Sequence, residues 1–149
     1  MHRPADGSHV TPEDLFERLD GTVHEATQVG ERGVDLTAAR VLEVVRPGRV
    51  DFGGGELSSV GVNGHRRYRE PGDDYAWWRL SAGTYLLEFN ESLVGDDPVR
   101  LEPGRALLQR GASHPPVTTT DLHRVPLSVA GAGLQIKENA RVSTIYPVE

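Results

Sequence analysis

Turn-forming residues divide the chain after Gly21 into short apolar segments, and this pattern limits the possible folds more than any other feature. The sequence contains 17 Gly and 10 Pro. Pairs such as Pro47-Gly48 and Pro71-Gly72 favour tight turns, because proline fixes φ and glycine accepts positive φ. Many short apolar runs between turn signals predict an all-β barrel or jelly roll. The predicted strands are Val34–Leu36, Arg40–Val45, Val60–Val62, Tyr75–Leu80, Thr84–Phe89, Arg105–Gln109, Val117–Leu122, Val125–Val129, Leu134–Ile136 and Arg141–Tyr146.

Two segments predict which side chains form the core. The apolar residues of Thr84–Phe89 are too continuous for simple alternation, which is typical of a central strand covered on both faces. Trp77 and Trp78 are neighbours in a predicted strand, so one ring should face the core and the other the outside or a subunit contact. We expect the core to include Leu86, Leu87, Phe89, Leu108 and Ile136.

One short helix is predicted before the strands. Thr11 is suited to the N-cap, Pro12 to the first helical position and Glu13 and Asp14 to the first turn, and the helix should end near Gly21. Residues 1–10 show no periodicity, so we expect a flexible tail there. Since 149 residues suit one domain, residues 11–149 are predicted to form a single β domain.

Composition excludes several classes of protein. A hydrophobic content of 37% suffices for a packed core. The absence of cysteine excludes disulfides, thiolate zinc sites and a cysteine nucleophile. A net charge of −6 argues against binding to nucleic acid or to an anionic membrane. The sequence has neither a long apolar run nor a signal-peptide stretch, so we expect no membrane span and a cytoplasmic location.

Carboxylates and arginines are the candidates for chemistry. Asp35 lies between apolar residues just after a glycine, Arg105 and Arg110 are five positions apart, and Asp121 and His123 place an acid beside an imidazole. Such groups suit phosphate binding and general base catalysis. The structural alternatives are a turn aspartate, surface arginines and a polar loop. The spacing of the histidines does not predict a zinc site, and no metal ligand is assigned.

Five segments, in order, resemble the superfamily of dUTP diphosphatases and dCTP deaminases, over roughly residues 23 to 146. The second of the family's motifs, usually Arg-Ser-Ser-Leu-x-Arg, is matched by Arg105-Ala106-Leu107-Leu108-Gln109-Arg110, and the acid that follows it by Asp121. The other similar segments are Ala26–Ala38 with Gly33-Val34-Asp35-Leu36, Leu80–Phe89, and Leu134–Val142 with Ala140-Arg141-Val142.

The resemblance implies a distorted β-barrel protomer, a homotrimer and nucleotide sites between subunits. It implies a diphosphatase that releases pyrophosphate from dUTP or a related deoxynucleoside triphosphate, with Mg²⁺ bridging the phosphate oxygens. Arg105 and Arg110 would bind phosphates, and Asp121 or His123 would position the attacking water. Arg141 would be an inter-subunit or phosphate contact, and Asp35 would line the substrate site or act structurally.

Departures from the family pattern favour an alternative function. Ala106 and Leu107 replace both phosphate-binding serines, and Pro126 lacks an N–H in the segment that corresponds to the base-binding hairpin. The deaminase glutamate has no counterpart, which argues against deamination. The Gly-rich C-terminal arm of many dUTP diphosphatases is not found before Glu149, so we expect water to be excluded by other means. The alternative is a catalytically inactive scaffold that binds a nucleotide or a protein partner, and an unrelated β-barrel also remains open.

Overall fold

Strands hold 46% and helices 10% of the residues that the structure describes, so this part of the chain is mostly β. The computed structural model describes residues 10–148. Its helices are α1 (Pro12–Glu17), α2 (Glu25–Gln28) and α3 (Arg105–Leu108). Its strands are β1 (Leu19–Asp20), β2 (Val34–Arg46), β3 (Gly61–Gly64), β4 (Arg67–Tyr68), β5 (Trp77–Leu80), β6 (Gly83–Phe89), β7 (Ser92–Leu93), β8 (Val99–Pro103), β9 (Ala112–Ser113), β10 (Val117–Thr119), β11 (Arg124–Val129), β12 (Leu134–Lys137) and β13 (Arg141–Pro147).

The main sheet has eight strands and curls into a half-barrel. Its order is β10-β8-β13-β2-β6-β11-β9, and β3 pairs with the C-terminal end of β2. A second sheet has the order β12-β5-β4, and β1 pairs with β7. The described strand pairs are antiparallel, and most of them join strands that are far apart in the chain.

The core lies against one face of this curled sheet. Tyr85, Leu87 and Phe89 of the central strand β6 are buried at alternate positions. On its opposite face Thr84 is exposed and only Glu88 is buried, at 9% exposure, so the expected cover on both faces is found only toward the end of the strand. Ile136 and Trp78 are also buried, which confirms the expected inward position of one tryptophan. Leu86 is half-buried rather than part of the core.

The N-terminal helix α1 follows its local sequence signals. The Thr11 hydroxyl accepts a hydrogen bond from the Asp14 amide, and the Asp14 carboxylate accepts one from the Thr11 amide. This reciprocal capping satisfies amide groups that the first turn leaves free. The helix ends at Glu17, earlier than expected, and α2 and α3 add two helical turns that the sequence analysis did not predict.

The predicted strand Arg105–Gln109 is wrong, because these residues form the one-turn helix α3 and its end. The Gly104 amide donates to the Val142 carbonyl, while the Gly104 carbonyl accepts from the amides of Leu107 and Leu108. The chain therefore turns where a strand would continue. Leu107 is buried in the core, whereas Leu108 is 52% exposed. The expectation that Leu108 lies in the core is therefore wrong.

A strand absent from the prediction, β8, pairs with both β13 and β10. Val99 and Leu101 are buried while Arg100 is exposed and Glu102 is half-buried, and this alternation is the signal that identifies such a strand. The expected tail falls on residues outside the described range, except for Val10, which packs against the core. No helix within residues 10–148 is long and apolar enough to cross a membrane.

Candidate functional site

Asp35 and Arg141 meet on adjacent strands, although they are far apart in sequence. The antiparallel register of β2 and β13 puts Asp35 opposite Thr144, whose hydroxyl donates to the Asp35 carboxylate at 2.9 Å. The Arg141 guanidinium lies 3.4 Å from the other carboxylate oxygen and also donates to the Thr27 carbonyl. These contacts tie α2, β2 and β13 together around a half-buried carboxylate.

Arg105 and Arg110 lie at the two ends of the turn that α3 forms, and both are exposed. The Arg110 guanidinium donates to the Ala106 carbonyl at 3.1 Å. Within residues 10–148, no carboxylate lies within 4.0 Å of either guanidinium. Because an arginine has five N–H donors, both side chains retain donors for an external anion.

Asp121 is exposed, and its carboxylate is engaged by its own loop. One carboxylate oxygen accepts from the His123 amide at 2.9 Å, and the Asp121 amide donates to the Thr119 hydroxyl at 2.9 Å. This is the Asx-type turn that aspartate commonly stabilises. Asp121 and His123 are therefore brought together through the backbone, and neither contacts Asp35, Arg105 or Arg110 within the described structure.

Glu88 lies behind His123 and was not among the candidates from sequence. Its carboxylate accepts from Arg124 at 2.6 Å and lies 3.5 Å from Arg40 and 3.9 Å from the Nε2 atom of His123. Glu88 and Arg124 are direct partners across β6 and β11. The signal that could have identified Glu88 is a charge inside an apolar strand, since buried carboxylates need partners.

A second buried carboxylate, Glu91, has only neutral donors among the described residues. It accepts from the Thr37 amide at 2.8 Å, from the Thr37 hydroxyl at 2.6 Å and from the Gln28 side chain at 2.9 Å. Burial raises the pKa of Glu91, and these hydrogen bonds oppose part of that rise. The Gln28 side-chain oxygen also accepts from the amides of Val23 and His24, just before α2. The cluster fastens α2 to β2.

The candidate residues do not provide a metal centre by themselves. Across residues 10–148, no group of three or more His, Asp or Glu side chains is arranged to hold a metal ion. Any divalent ion at the arginine-bearing turn would need ligands from elsewhere, such as the oxygens of a bound phosphate.

No protein-family model matches this chain, and no curated protein matches it either. The candidate residues form three groups: two exposed arginines, Arg105 in α3 and Arg110 just after it, without acidic partners among residues 10–148; an exposed imidazole in front of Glu88; and an aspartate–arginine pair between β2 and β13.

Proposed function

We propose that this protein binds a deoxynucleoside triphosphate, dUTP or a close analogue, through Arg105 and Arg110, as a noncatalytic relative of the dUTP diphosphatases. The observation that carries this proposal is the absence of a carboxylate within 4.0 Å of either guanidinium among residues 10–148. In a chain of net charge −6, exposed arginines with free donors favour an anionic ligand.

Two features support binding without hydrolysis. Leu107 is 3% exposed, so a position that carries a phosphate-binding serine in the resembled family contributes to the core instead. One oxygen of the exposed Asp121 carboxylate accepts from the His123 amide, and within residues 10–148 Asp121 makes no hydrogen bond to Arg105 or Arg110. A general base must lie within hydrogen-bonding reach of the water that it activates, and the described contacts do not bring this carboxylate to the two arginines proposed to hold the phosphates.

Hydrolysis to the monophosphate and pyrophosphate is the second candidate, and the position of His123 favours it. Its imidazole is 65% exposed, and its Nε2 atom lies 3.9 Å from the buried Glu88 carboxylate. A carboxylate behind an exposed imidazole can orient it as a base. Mg²⁺ would then accompany the triphosphate, and no protein ligands are assigned to it because the described residues offer no metal-binding group.

The resemblance also leads us to propose a dUTPase-like barrel topology and a homotrimer with nucleotide sites between protomers. Light scattering of the purified protein tests the assembly directly. A trimeric mass supports sites shared between subunits, whereas a monomer would restrict the site to the residues of one chain.

Binding and turnover are separated by measuring both on the same protein. Each deoxynucleoside triphosphate is titrated with Mg²⁺ by calorimetry, and pyrophosphate release is followed in parallel. Arg105→Ala and Arg110→Ala should weaken binding about tenfold or more, since hydrogen bonds to charged groups contribute about 1.5–3 kcal/mol each. Arg49→Ala is the matched control, because Arg49 is exposed and pairs with Glu56.

The outcomes distinguish the two candidates. Binding of dUTP without pyrophosphate release supports the noncatalytic function. Release that is lost in His123→Ala, with binding retained, supports the diphosphatase. If no nucleotide binds, or if the control variant weakens binding as much as the two site variants, both candidates fail.

A further inference from the structure

Arg110 faces a cleft that no sequence pattern identified. The cleft has a volume of about 720 Å³, and its polar lining includes Arg79, Ser81, Arg110 and Gln135. It lies where the end of β5 meets the loop between β11 and β12. Arg105 and Asp121 do not line it.

The second sheet positions one wall of this cleft. Arg79 of β5 and Gln135 of β12 are direct cross-strand partners, so their side chains share one face of the sheet. The Arg79 guanidinium carbon lies 4.5 Å from the centre of the Tyr68 ring on β4. This cation–π contact restricts the arginine without using its hydrogen-bond donors.

A close backbone approach fixes the adjoining loop. Gly133 has a φ of +95°, and a Cβ atom there would lie 2.3 Å from the Leu80 carbonyl oxygen. Only glycine permits this contact, which holds the β11–β12 loop against the end of β5. The Tyr85 hydroxyl donates to the Ser81 carbonyl, which anchors the neighbouring turn at the base of the cleft.

The charges of the cleft favour an anion. Within residues 10–148, neither Arg79 nor Arg110 has a carboxylate within 4.0 Å, whereas Arg40, Arg67 and Arg124 are each paired with an acid. The Gln135 amide adds a neutral donor, and so does the Ser81 hydroxyl, which has one long 3.4 Å contact with the Tyr85 hydroxyl. Two planar guanidinium groups with hydroxyl and amide donors match the oxygens of a phosphoryl group.

We propose that Arg79 and Arg110 together bind one phosphoryl group in this cleft, with Ser81 and Gln135 as further donors. The inference rests on the proposed function in its use of Arg110 as a phosphate ligand, and it adds Arg79 as the residue that completes the site. The phosphoryl group can belong to a nucleotide or to free inorganic pyrophosphate, because the donors recognise the anion alone.

Inorganic pyrophosphate is the probe that tests the cleft independently of any base. Its affinity is measured by calorimetry for the wild type, Arg79→Gln, Arg110→Gln and the double variant, with Arg49→Gln as the control for loss of one exposed positive charge. Each single site variant should weaken binding about tenfold or more, and the control should change it less than about twofold. If both arginines contact the same group, the double variant weakens binding by less than the product of the single effects.

Folding is checked so that a structural role of Arg79 is not mistaken for binding. Arg79→Lys keeps the charge and can stay near Tyr68 but loses the planar fork. It should bind pyrophosphate more tightly than Arg79→Gln and less tightly than the wild type, at an unchanged melting temperature. Wild-type affinity in Arg79→Gln, or equal losses in Arg79→Gln and Arg49→Gln, would overturn the proposal.

Parallel titrations with dUTP and deoxyuridine separate this inference from the proposed function. If dUTP binding requires Arg105 and Arg110 but is unaffected by Arg79→Gln, the cleft inference fails and the nucleotide function stands. If pyrophosphate binding requires Arg79 and Arg110 but dUTP binds no more tightly than pyrophosphate, the cleft is a phosphate site and the nucleotide function fails. Absence of pyrophosphate binding to the wild type overturns the cleft inference.

Discussion

The Ser143 hydroxyl donates a 2.7 Å hydrogen bond to the Nε2 atom of His114, and both residues are buried. The Nδ1 atom of His114 lies 3.0 Å from the Pro115 carbonyl oxygen. Because a carbonyl only accepts, Nδ1 carries the hydrogen and Nε2 accepts from the serine. Burial lowers the pKa of His114 below its ordinary value, which fits a neutral ring that fastens the β9 segment to β13.

Protonation of His114 should therefore destabilise the fold in mild acid. Below pH 6.5 the unfolded chain takes up a proton at His114 that the folded protein resists, so stability falls as the pH decreases through this range. The slope contributed by one such group is at most about 1.4 kcal/mol per pH unit. Urea unfolding between pH 7.5 and pH 5 should give a flatter profile for His114→Asn than for the wild type. His24→Asn, which changes an exposed histidine, is the control, and an unchanged profile in His114→Asn would contradict the prediction.

Glu91→Gln should destabilise the protein although it removes a buried charge. Three donors bond to the two carboxylate oxygens of Glu91, but in glutamine one of these oxygens is replaced by an NH₂ group that cannot accept. The buried donor left without an acceptor should lower the free energy of unfolding by about 1–3 kcal/mol. Since the pKa of Glu91 is raised, the wild type gains stability as the pH falls toward 4.5, and its advantage over the variant should widen. Unfolding free energies at pH 7 and pH 5 test both statements, with the exposed Glu43→Gln as control. A variant as stable as the wild type would mean that the hydrogen bonds of Glu91 do not offset the cost of burying it.

Adjacent leucines of α3 provide a test of the helix. Leu107→Ala should cost about 2–5 kcal/mol, comparable to Leu87→Ala in β6, because both side chains are buried. Leu108→Ala should change stability by less than about 0.5 kcal/mol, since Leu108 is 52% exposed. Chemical denaturation of the three variants measures the difference. The opposite order for Leu107 and Leu108 would indicate a strand, and a loss below about 1 kcal/mol for Leu87→Ala would make β6 peripheral.

Gly131 and Gly133 lie in the β11–β12 loop, and an added methyl group would have different surroundings at the two positions. Gly131 has a φ of +63° and open space around it, so Gly131→Ala should cost about 1–2 kcal/mol from backbone strain alone. Gly133→Ala should cost more, because the added Cβ atom overlaps the Leu80 carbonyl oxygen as well. Melting temperatures rank the two variants, and pyrophosphate binding should weaken only in Gly133→Ala. Equal stability of the two variants would show that the loop moves freely away from β5.

Features that depend on neighbours in sequence were the ones that could be predicted. The cap at Thr11 needs only Asp14, three residues away, and the central strand β6 follows from its continuous apolar run. The segment Arg105–Gln109 was predicted wrongly because periodicity alone does not distinguish a strand from a helix in so short an apolar run, although Ala and Leu are good helix formers. Its conformation depends on the bond from Gly104 to Val142, which lies on a distant strand.

The sequence alone determined the mostly-β class, the N-terminal helix and the kinds of residue that carry chemistry, because periodicity, capping and turn preferences act over a few positions. Only the tertiary structure decided which of those residues meet. The register of β2 and β13 brings Asp35 to Arg141, the pairing of β6 with β11 brings Glu88 to Arg124, and the meeting of β5 with the β11–β12 loop opens the cleft in front of Arg110. These contacts join residues that are distant in the chain, so they depend on how the strands pair and pack rather than on any local pattern.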